Sequence, residues 1–212
     1  MAVKKVAAAI KQGKVAIVPG DAVYTLVADA FNKDAIQKVF KIKKRERGKA
    51  FNLGLYRLED IAKYGKFSPL IYKIQEKFPK MPFAFAVPRN EKIVPSFLNP
   101  GYKTLGFRVP FNKVTSTLSK FHRTPVIGTS CNISELKDTY SVEELMDYFR
   151  EIFGSEIAPD IVLDAGKLPK RKTSTVIEII EKKVKIIREG DIDRNLLKTE
   201  IKRIVGEMEH ET

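Results

Sequence analysis

Short apolar runs rich in β-branched residues alternate with amphipathic stretches along the whole chain. Runs of this kind are typical of strands or strand ends, and they occupy residues 14–19, 51–56, 82–87, 104–109, 125–130 and 160–166. Such alternation favours an α/β fold, in which helices cover the faces of a sheet. We therefore predict a twisted mixed β-sheet with flanking helices.

The amphipathic stretches predict helices at four places. They cover the first 14 residues and residues 32–44, 141–153 and 193–207, and Ser141 and Glu144 predict a capping box for the third helix. Residues 174–180 and 184–189, joined by residues 181–183, predict an antiparallel hairpin. We expect one domain over residues 1–192, followed by a C-terminal helix and tail over residues 193–212.

The charge balance indicates an anionic partner. The chain has 39 Lys and Arg against 26 Asp and Glu, a net charge of +13, and 43% hydrophobic residues, which is typical of a globular protein. The net charge alone does not decide whether this partner is a nucleic acid, a nucleotide or an acidic membrane. A single cysteine excludes an internal disulfide, and two histidines far apart in sequence, His122 and His210, argue against a zinc site.

No apolar run approaches the roughly 20 residues that a membrane-spanning helix needs. Lys11 interrupts the apolar start of the chain, which therefore predicts a first helix and not a signal peptide. We expect a cytoplasmic protein without a membrane partner.

The stretch FKIKKRERGKAF, residues 40–51, carries six basic side chains and one acid, Glu46. In an extended segment, Lys43 and Arg45 would point the same way and together hold a polyphosphate. Lys49 would lie behind this pair, and the remaining three cations, Lys41, Lys44 and Arg47, would end a helix or face solvent. Part of the cluster is also explained by the preference of cations for a helix C-terminus.

Two further features are candidates for binding. The turn GTSCN, residues 128–132, follows a predicted strand, and its main-chain N–H groups and hydroxyls suit an anion. Arg108, Ser174 and Arg188 lie near strand ends, where ligands often bind. Cys131 is expected to be a small buried residue. The chain has none of the common nucleotide-binding or nucleophile-elbow motifs.

Taken in order, several segments resemble the YrdC-like family of threonylcarbamoyl-adenylate synthases. They are VPGDAVYTLVADA, IKKRERGK, FRVP, GTSCNIS, LDAG, STV and IIREG, and they lie within residues 14–192. The resemblance implies a basic concave groove on a twisted α/β sheet. It also implies an enzyme that joins L-threonine, bicarbonate and ATP, which brings Mg²⁺, into threonylcarbamoyl-AMP and pyrophosphate for tRNA modification.

The resemblance assigns roles to individual residues. Lys43 and Arg45 are the catalytic candidates. The ATP-binding candidates are Lys43, Arg45, Lys49, Thr104, Ser130, Asn132 and Arg188. The threonine-binding candidates are Tyr24, Arg108 and Ser174. Neither a tightly bound cofactor nor a protein metal site is expected.

Departures from the family pattern are concentrated in the first motif. Gly20 and Ala22 stand where the family has threonines, Thr25 replaces a glycine, and Gly54 or Tyr56 lies where many members have a histidine. Two alternatives to the synthase therefore stay open. One is a divergent nucleotide-binding paralogue with another substrate or none. The other is a module that binds tRNA or double-stranded RNA, with tRNA-modification proteins as possible partners.

Overall fold

The computed structural model of the protein describes residues 2–44, 46, 48–132, 139–153 and 158–210. In this part of the chain, the strands are β1 (Ala16–Pro19), β2 (Tyr24–Asp29), β3 (Asn52–Gly54), β4 (Phe83–Pro88), β5 (Thr104–Arg108), β6 (Val126–Ser130), β7 (Ile161–Val162), β8 (Thr175–Ile180) and β9 (Lys183–Arg188). The helices are α1 (Ala2–Lys11), α2 (Lys33–Lys43), α3 (Ile61–Tyr64), α4 (Leu70–Lys77), α5 (Lys113–His122), α6 (Val142–Phe153) and α7 (Arg194–His210).

The strands form one sheet in the order β7-β1-β2-β6-β3-β5-β4-β8-β9. The pairs β1/β7, β3/β5 and β4/β8 are parallel, and the other neighbouring pairs are antiparallel. The predicted mixed α/β architecture is confirmed. The short β3 lies in the middle of the sheet, between β6 and β5, and the candidate site is built around its ends.

Alternate residues of β2 serve two different cores, as the pleat of a strand requires. Tyr24, Leu26 and Ala28 join the large core. Val27 faces the other way, into a smaller core that contains Val6 and Ile10 of α1 and Leu118 of α5. Helices therefore cover part of both faces of the sheet.

On the face that carries Val27, the central strands have small residues where they neighbour one another. Asn52 of β3 pairs with Gly106 of β5 on one side and with Gly128 of β6 on the other. A Cβ atom at Gly106 would lie 2.0 Å from Asn52 Oδ1, so this close approach requires glycine. Because Gly106 and Gly128 carry no side chain, this face of the sheet has room for a cleft.

Several sequence predictions are confirmed. The hairpin β8–β9 is antiparallel, and its turn places Glu181 at a φ of 57°. Helix α2 begins after Asn32, whose Oδ1 accepts a hydrogen bond of 2.9 Å from Ala35 N. Cys131 is buried. Helix α7 runs to His210, and its buried Leu197, Ile201 and Ile204 belong to the large core.

Two predictions need correction. Residues 160–166 were expected to form a strand that ends in a glycine turn. Gly166 has the φ of 74° that such a turn needs, but β7 has only two residues, Ile161–Val162. At the start of α6, Ser141 Oγ accepts from Glu144 N as expected, but the Glu144 carboxylate accepts from Tyr140 N. The return hydrogen bond of the predicted capping box is therefore displaced by one residue, from Ser141 N to Tyr140 N.

Four elements, β2, α3, α4 and α5, were not predicted, and the signals for three of them are present in the sequence. Strand β2 follows directly on the turn after Pro19, and its apolar residues alternate along the strand. Helix α4 buries Leu70, Ile71 and Ile74, which have helical spacing. Helix α5 has Asn112 as its N-cap, an ordinary start signal. None of the helices in the described ranges is long and apolar enough to cross a membrane.

Candidate active site

A cleft of about 190 Å³ opens on the sheet face that carries Asn52, between the ends of the central strands and residues 172–174. Four of the predicted binding residues line it together, although they come from β5, β6, β9 and the residue before β8: Arg108, Ser130, Ser174 and Arg188. Thr25 of β2 also lines the cleft. The sheet thus brings together side chains that are up to 163 residues apart in sequence, as Thr25 and Arg188 are.

Arg108 is held in place by an acid that the sequence analysis did not single out. Its Nη2 donates a hydrogen bond to Asp21 Oδ2. The other oxygen of Asp21 accepts hydrogen bonds from Asn112 N at 2.7 Å, Asn112 Nδ2 at 3.0 Å and Phe111 N at 3.2 Å. Arg108 Nε is buried and has no hydrogen-bond partner among the described residues. Asp21 therefore fixes the guanidinium of Arg108, while part of the hydrogen-bonding capacity of that guanidinium remains for a ligand.

Arg188 lies over Ser174 at the other side of the cleft. Its Nε donates to Ser174 O at 3.0 Å and its Nη2 to Ser174 Oγ at 3.1 Å. Much of the side chain is exposed, but partial burial of the guanidinium and the positive charge of Arg108 lower the pKa of Arg188. Because two like charges repel each other, a bound anion would stabilise both arginines.

Lys43 does not line the cleft but lies underneath its rim, and only 1% of the residue is exposed. Its ammonium group donates hydrogen bonds to Ser130 O at 2.5 Å, Asn132 O at 2.7 Å and Asn132 Oδ1 at 2.9 Å. An ammonium group has three donors. The side chain therefore ties the end of α2 to residues 130–132.

The prediction that Lys43 lies in an extended segment is wrong, because Lys43 is the last residue of α2 and Lys44 is left-handed with a φ of 45°. Lys41 and Lys44 are exposed, as expected. Arg45 and Arg47 lie outside the described residues, so the predicted role of Arg45 stays a prediction.

Residues 130–132 form a compact turn at the end of β6. Ser130 Oγ donates to Asn132 Oδ1 at 2.7 Å, and Cys131 N donates to Tyr24 O at 2.7 Å. Burial raises the pKa of the Cys131 thiol, although the charge of Lys43 opposes this effect. A buried, protonated thiol is a poor nucleophile, in agreement with a structural role for Cys131.

Besides Lys43, three predicted ATP-binding residues, Lys49, Thr104 and Asn132, are not among the residues that line the cleft. Thr104 is at the start of β5, four residues or about 13 Å along the strand from Arg108, and its Oγ1 donates to Glu178 Oε1 at 3.2 Å. Lys49 Nζ lies 3.7 Å from Glu46 Oε2. ATP binding by Thr104 and Lys49 therefore stays a prediction, and it requires a ligand that extends beyond the cleft.

Tyr24 lies on the opposite face of the sheet from the cleft. It is fully buried, and its hydroxyl donates to Asp164 Oδ1 at 2.9 Å and Gly166 O at 2.8 Å, while accepting from Ala165 N at 2.9 Å. Successive side chains of a strand point to opposite faces of the sheet, and Thr25, the next residue of β2, lines the cleft. Tyr24 thus anchors residues 164–166 and does not contact the cleft.

A basic loop borders the cleft, and the sequence analysis missed it. Lys167, Lys170, Arg171 and Lys172 are all exposed, and Lys172 lines the cleft. The loop is held by Leu168 N, which donates to Tyr140 O at 2.8 Å. The run KLPKRK was the available signal. Within the described part of the chain, no group of three or more His, Cys, Asp or Glu residues is placed to hold a metal ion.

The chain is similar to several known proteins. The Sua5/YciO/YrdC family model, described as "Telomere recombination", matches residues 8–190. A protein of Methanocaldococcus jannaschii that is provisionally named as a threonylcarbamoyl-AMP synthase is 32% identical over 184 residues, which are 86% of this chain and 83% of that protein. The threonylcarbamoyl-AMP synthase of Pyrococcus abyssi is 24% identical over 94% of this chain, but the match spans 56% of that enzyme.

Solved structures show the same fold. The crystal structure of P. abyssi Sua5 complexed with L-threonine matches with a TM-score of 0.80 and 23% identity, over 94% of this chain and 57% of that one. Escherichia coli YciO matches with a TM-score of 0.75 and 21% identity, over 91% and 90% of the two chains. The family model spans most of the chain, and the chain belongs to the Sua5/YciO/YrdC family.

Proposed function

We propose that this protein makes threonylcarbamoyl-AMP and pyrophosphate from L-threonine, bicarbonate and MgATP, as a step in threonylcarbamoyladenosine modification of tRNA. The observation that carries the proposal is the meeting of Arg108, Arg188, Ser174 and Ser130 in one cleft. Two guanidinium groups with nearby hydroxyls suit substrates that bear carboxylate, carbamate and phosphate groups. Relatives named threonylcarbamoyl-AMP synthase support the assignment.

In this reaction the threonine amine first captures CO₂ as a carbamate and releases a proton. A carbamate oxygen then attacks the α-phosphorus of ATP, and the bond from that phosphorus to the bridging oxygen breaks as pyrophosphate leaves. The nucleophile comes from the substrate. The protein therefore acts mainly by positioning the reactants and neutralising charge.

The geometry suggests how the chain divides these tasks. Arg108 and Ser174 bind the threonine carboxylate or carbamate, and Arg188 and Ser130 bind phosphate oxygens. Lys43 acts through residues 130–132, whose conformation it holds, and is a positioning residue in this proposal. Arg45, Lys49, Asn132 and Thr104 remain the further candidates for the nucleotide.

The test is pyrophosphate release on incubation of the protein with MgATP, bicarbonate and each amino acid in turn. We expect release with threonine, and it should depend on bicarbonate. Absence of pyrophosphate with threonine would refute the synthase assignment. If ATP then still protects the protein against heat, the divergent nucleotide-binding paralogue becomes the better explanation.

An RNA-binding module is the second candidate, and the exposed basic loop of Lys167, Lys170, Arg171 and Lys172 favours it. Binding through phosphates weakens steeply as salt is raised. RNA binding that is sensitive to salt but not displaced by ATP would support this function. RNA binding that ATP displaces would place the RNA in the same cleft.

A further inference from the structure

The floor of the cleft carries a side-chain amide whose hydrogen-bonding groups are unused within the described part of the chain. Asn52 of β3 lines the cleft and is half-buried. Its side chain makes no hydrogen bond with any other described residue. A carboxamide has two N–H donors and a carbonyl acceptor, so both kinds of hydrogen bond are available to a ligand in the cleft.

A glycine on the neighbouring strand makes room for this amide. Asn52 pairs with Gly106 of β5, and a Cβ atom at Gly106 would lie 2.0 Å from Asn52 Oδ1. The amide oxygen therefore lies over the main chain of β5, in a space that a side chain at residue 106 would fill. The pairing of these two residues holds the amide at the floor of the cleft.

Hydroxyl groups that line the same cleft are already engaged. Thr25 Oγ1 donates to Val23 O at 3.2 Å, and Ser130 Oγ donates to Asn132 Oδ1 at 2.7 Å. A ligand that takes a hydrogen bond from either hydroxyl has to replace one of these contacts. The amide of Asn52 has no such contact to lose, so its pairing with a ligand adds hydrogen bonds without breaking any in the protein.

Asn52 lies midway between two of the predicted binding residues. Arg108 is two residues beyond Gly106 in β5, and Ser130 is two residues beyond Gly128 in β6. Because β5 runs parallel to β3 and β6 runs antiparallel to it, Arg108 and Ser130 lie about 7 Å from the level of Asn52 in opposite directions. The floor of the cleft therefore presents a guanidinium, an amide and a hydroxyl in that order.

The substrate of the proposed reaction has its groups in a matching order. The carbamate of threonine has a carboxylate at one end, then an N–H, then the carbamate carbon with the oxygen that attacks the α-phosphorus. With the carboxylate at Arg108 and the α-phosphate towards Ser130, the carbamate group lies over Asn52. A carbamate offers an N–H donor beside oxygen acceptors, and a carboxamide matches both. Free threonine has an ammonium group there, with donors and no acceptor.

We propose that Asn52 binds the carbamate group of the substrate: Oδ1 accepts a hydrogen bond from the carbamate N–H, and Nδ2 donates one to a carbamate oxygen. The proposal rests on the proposed function, because the carbamate is the intermediate of that reaction. Asn52 thereby selects the carbamate over the free amine and orients it between Arg108 and the α-phosphate.

The dependence of threonine binding on bicarbonate tests this role. Calorimetric titration of the intact protein without ATP, at matched ionic strength, should show tighter binding of threonine when bicarbonate is present. In Asn52→Leu this gain should be lost, because leucine has the same number of side-chain non-hydrogen atoms but neither donor nor acceptor. N-acetylthreonine has a stable N–H and carbonyl in place of the carbamate, and its affinity should fall about tenfold in the variant.

A second variant and a matched control keep the test independent of folding. Asn52→Asp keeps the shape and the acceptor but loses the donor and adds a negative charge, so it should also lose the bicarbonate effect. Asn195→Leu makes the same exchange as Asn52→Leu at an exposed position of α7, outside the cleft, and should keep both wild-type values. All three variants should unfold at the urea concentration of the wild type.

The outcomes separate this proposal from the proposed function. Unchanged affinities in Asn52→Leu, or no effect of bicarbonate on threonine binding to the wild type, would overturn the role of Asn52. Pyrophosphate release by the wild-type protein is measured separately. A bicarbonate effect that depends on Asn52 without any pyrophosphate release would support this role and refute the synthase. Pyrophosphate release together with unchanged affinities in Asn52→Leu would support the synthase and refute this role.

Discussion

The ammonium group of Lys43 lies 2.7 Å from the main-chain oxygen of Asn132 and 2.9 Å from its side-chain oxygen. This contact joins the end of α2 to the turn after β6, across 89 residues of sequence. A lysine that is 1% exposed and bonded in this way maintains the shape of the turn. The basic cluster at residues 40–51 thus contains at least one cation that supports the site from within.

We expect Lys43→Ala to destabilise the fold by about 3 kcal/mol, because buried oxygens at residues 130 and 132 lose their donor. ATP affinity should fall at least tenfold, since the turn loses its shape. Urea unfolding and calorimetric titration with MgATP measure the two effects. Lys41→Ala, an exposed position on the same helix, should change stability by less than about 0.5 kcal/mol. Equal effects of the two substitutions would mean that the cluster acts only as diffuse charge.

Tyr24→Phe should destabilise the protein by about 1–3 kcal/mol, because the lost hydroxyl leaves Gly166 O and Ala165 N without their partner. Hydrogen exchange of the Ala165 amide should accelerate in the variant. Threonine affinity should change little, since Tyr24 faces away from the cleft. A large loss of threonine affinity with unchanged stability would instead indicate direct contact with the ligand.

Gly20 and Thr25 are sterically coupled, so Gly20→Ala should cost about 1–3 kcal/mol. The added Cβ would lie 2.2 Å from Thr25 Oγ1 and 2.4 Å from Val23 O. Adding Thr25→Gly should recover only part of the loss, because the main-chain contact with Val23 remains. Thermal and urea unfolding of the single and double variants test this. Full recovery would show that the main chain at Val23 adapts freely.

Arg188→Gln should change the stability of the free protein little. It loses hydrogen bonds to Ser174 but also removes the repulsion from Arg108 that contributes to the lowered pKa of Arg188. Stabilisation of the protein by MgATP or pyrophosphate should be strongly reduced, because one of the three cations that line the cleft, Arg108, Lys172 and Arg188, is lost. The shift in thermal midpoint with each anion measures this effect. An undiminished shift would place the phosphates elsewhere.

Asp160 should contribute stability that is lost in acid. Burial acts to raise its pKa, but hydrogen bonds from Lys38 Nζ and Val15 N lower the pKa overall. A carboxyl group whose pKa is lower in the folded state stabilises the fold above its unfolded value of about 3.9. This contribution disappears as the pH falls through the folded pKa. Urea unfolding between about pH 5 and pH 2 should therefore depend less on pH in Asp160→Asn than in the wild type. An equal pH dependence of unfolding in the variant and in the wild type would contradict the lowered pKa of Asp160.

The sequence by itself determined the fold class, the hairpin and the family. These follow from local patterns: alternation of apolar residues in β8 and β9, and an ordered series of motifs along the chain. It also identified Arg108, Ser174 and Arg188 as candidates because they lie near predicted strand ends, and Ser130 because it lies in a predicted turn after a strand, whereas the sheet decided that all four line one cleft. The burial of Cys131 was predicted for the same local reasons.

The tertiary structure decided which way the side chains point. Lys43 has helical spacing with Ile36 and Val39, so it follows the buried side of α2 under the turn, whereas an extended segment would have directed it outward with Arg45. The pleat of β2 similarly separates Tyr24 from Thr25. Such directions depend on register and on contacts between distant segments, which a local sequence pattern does not encode.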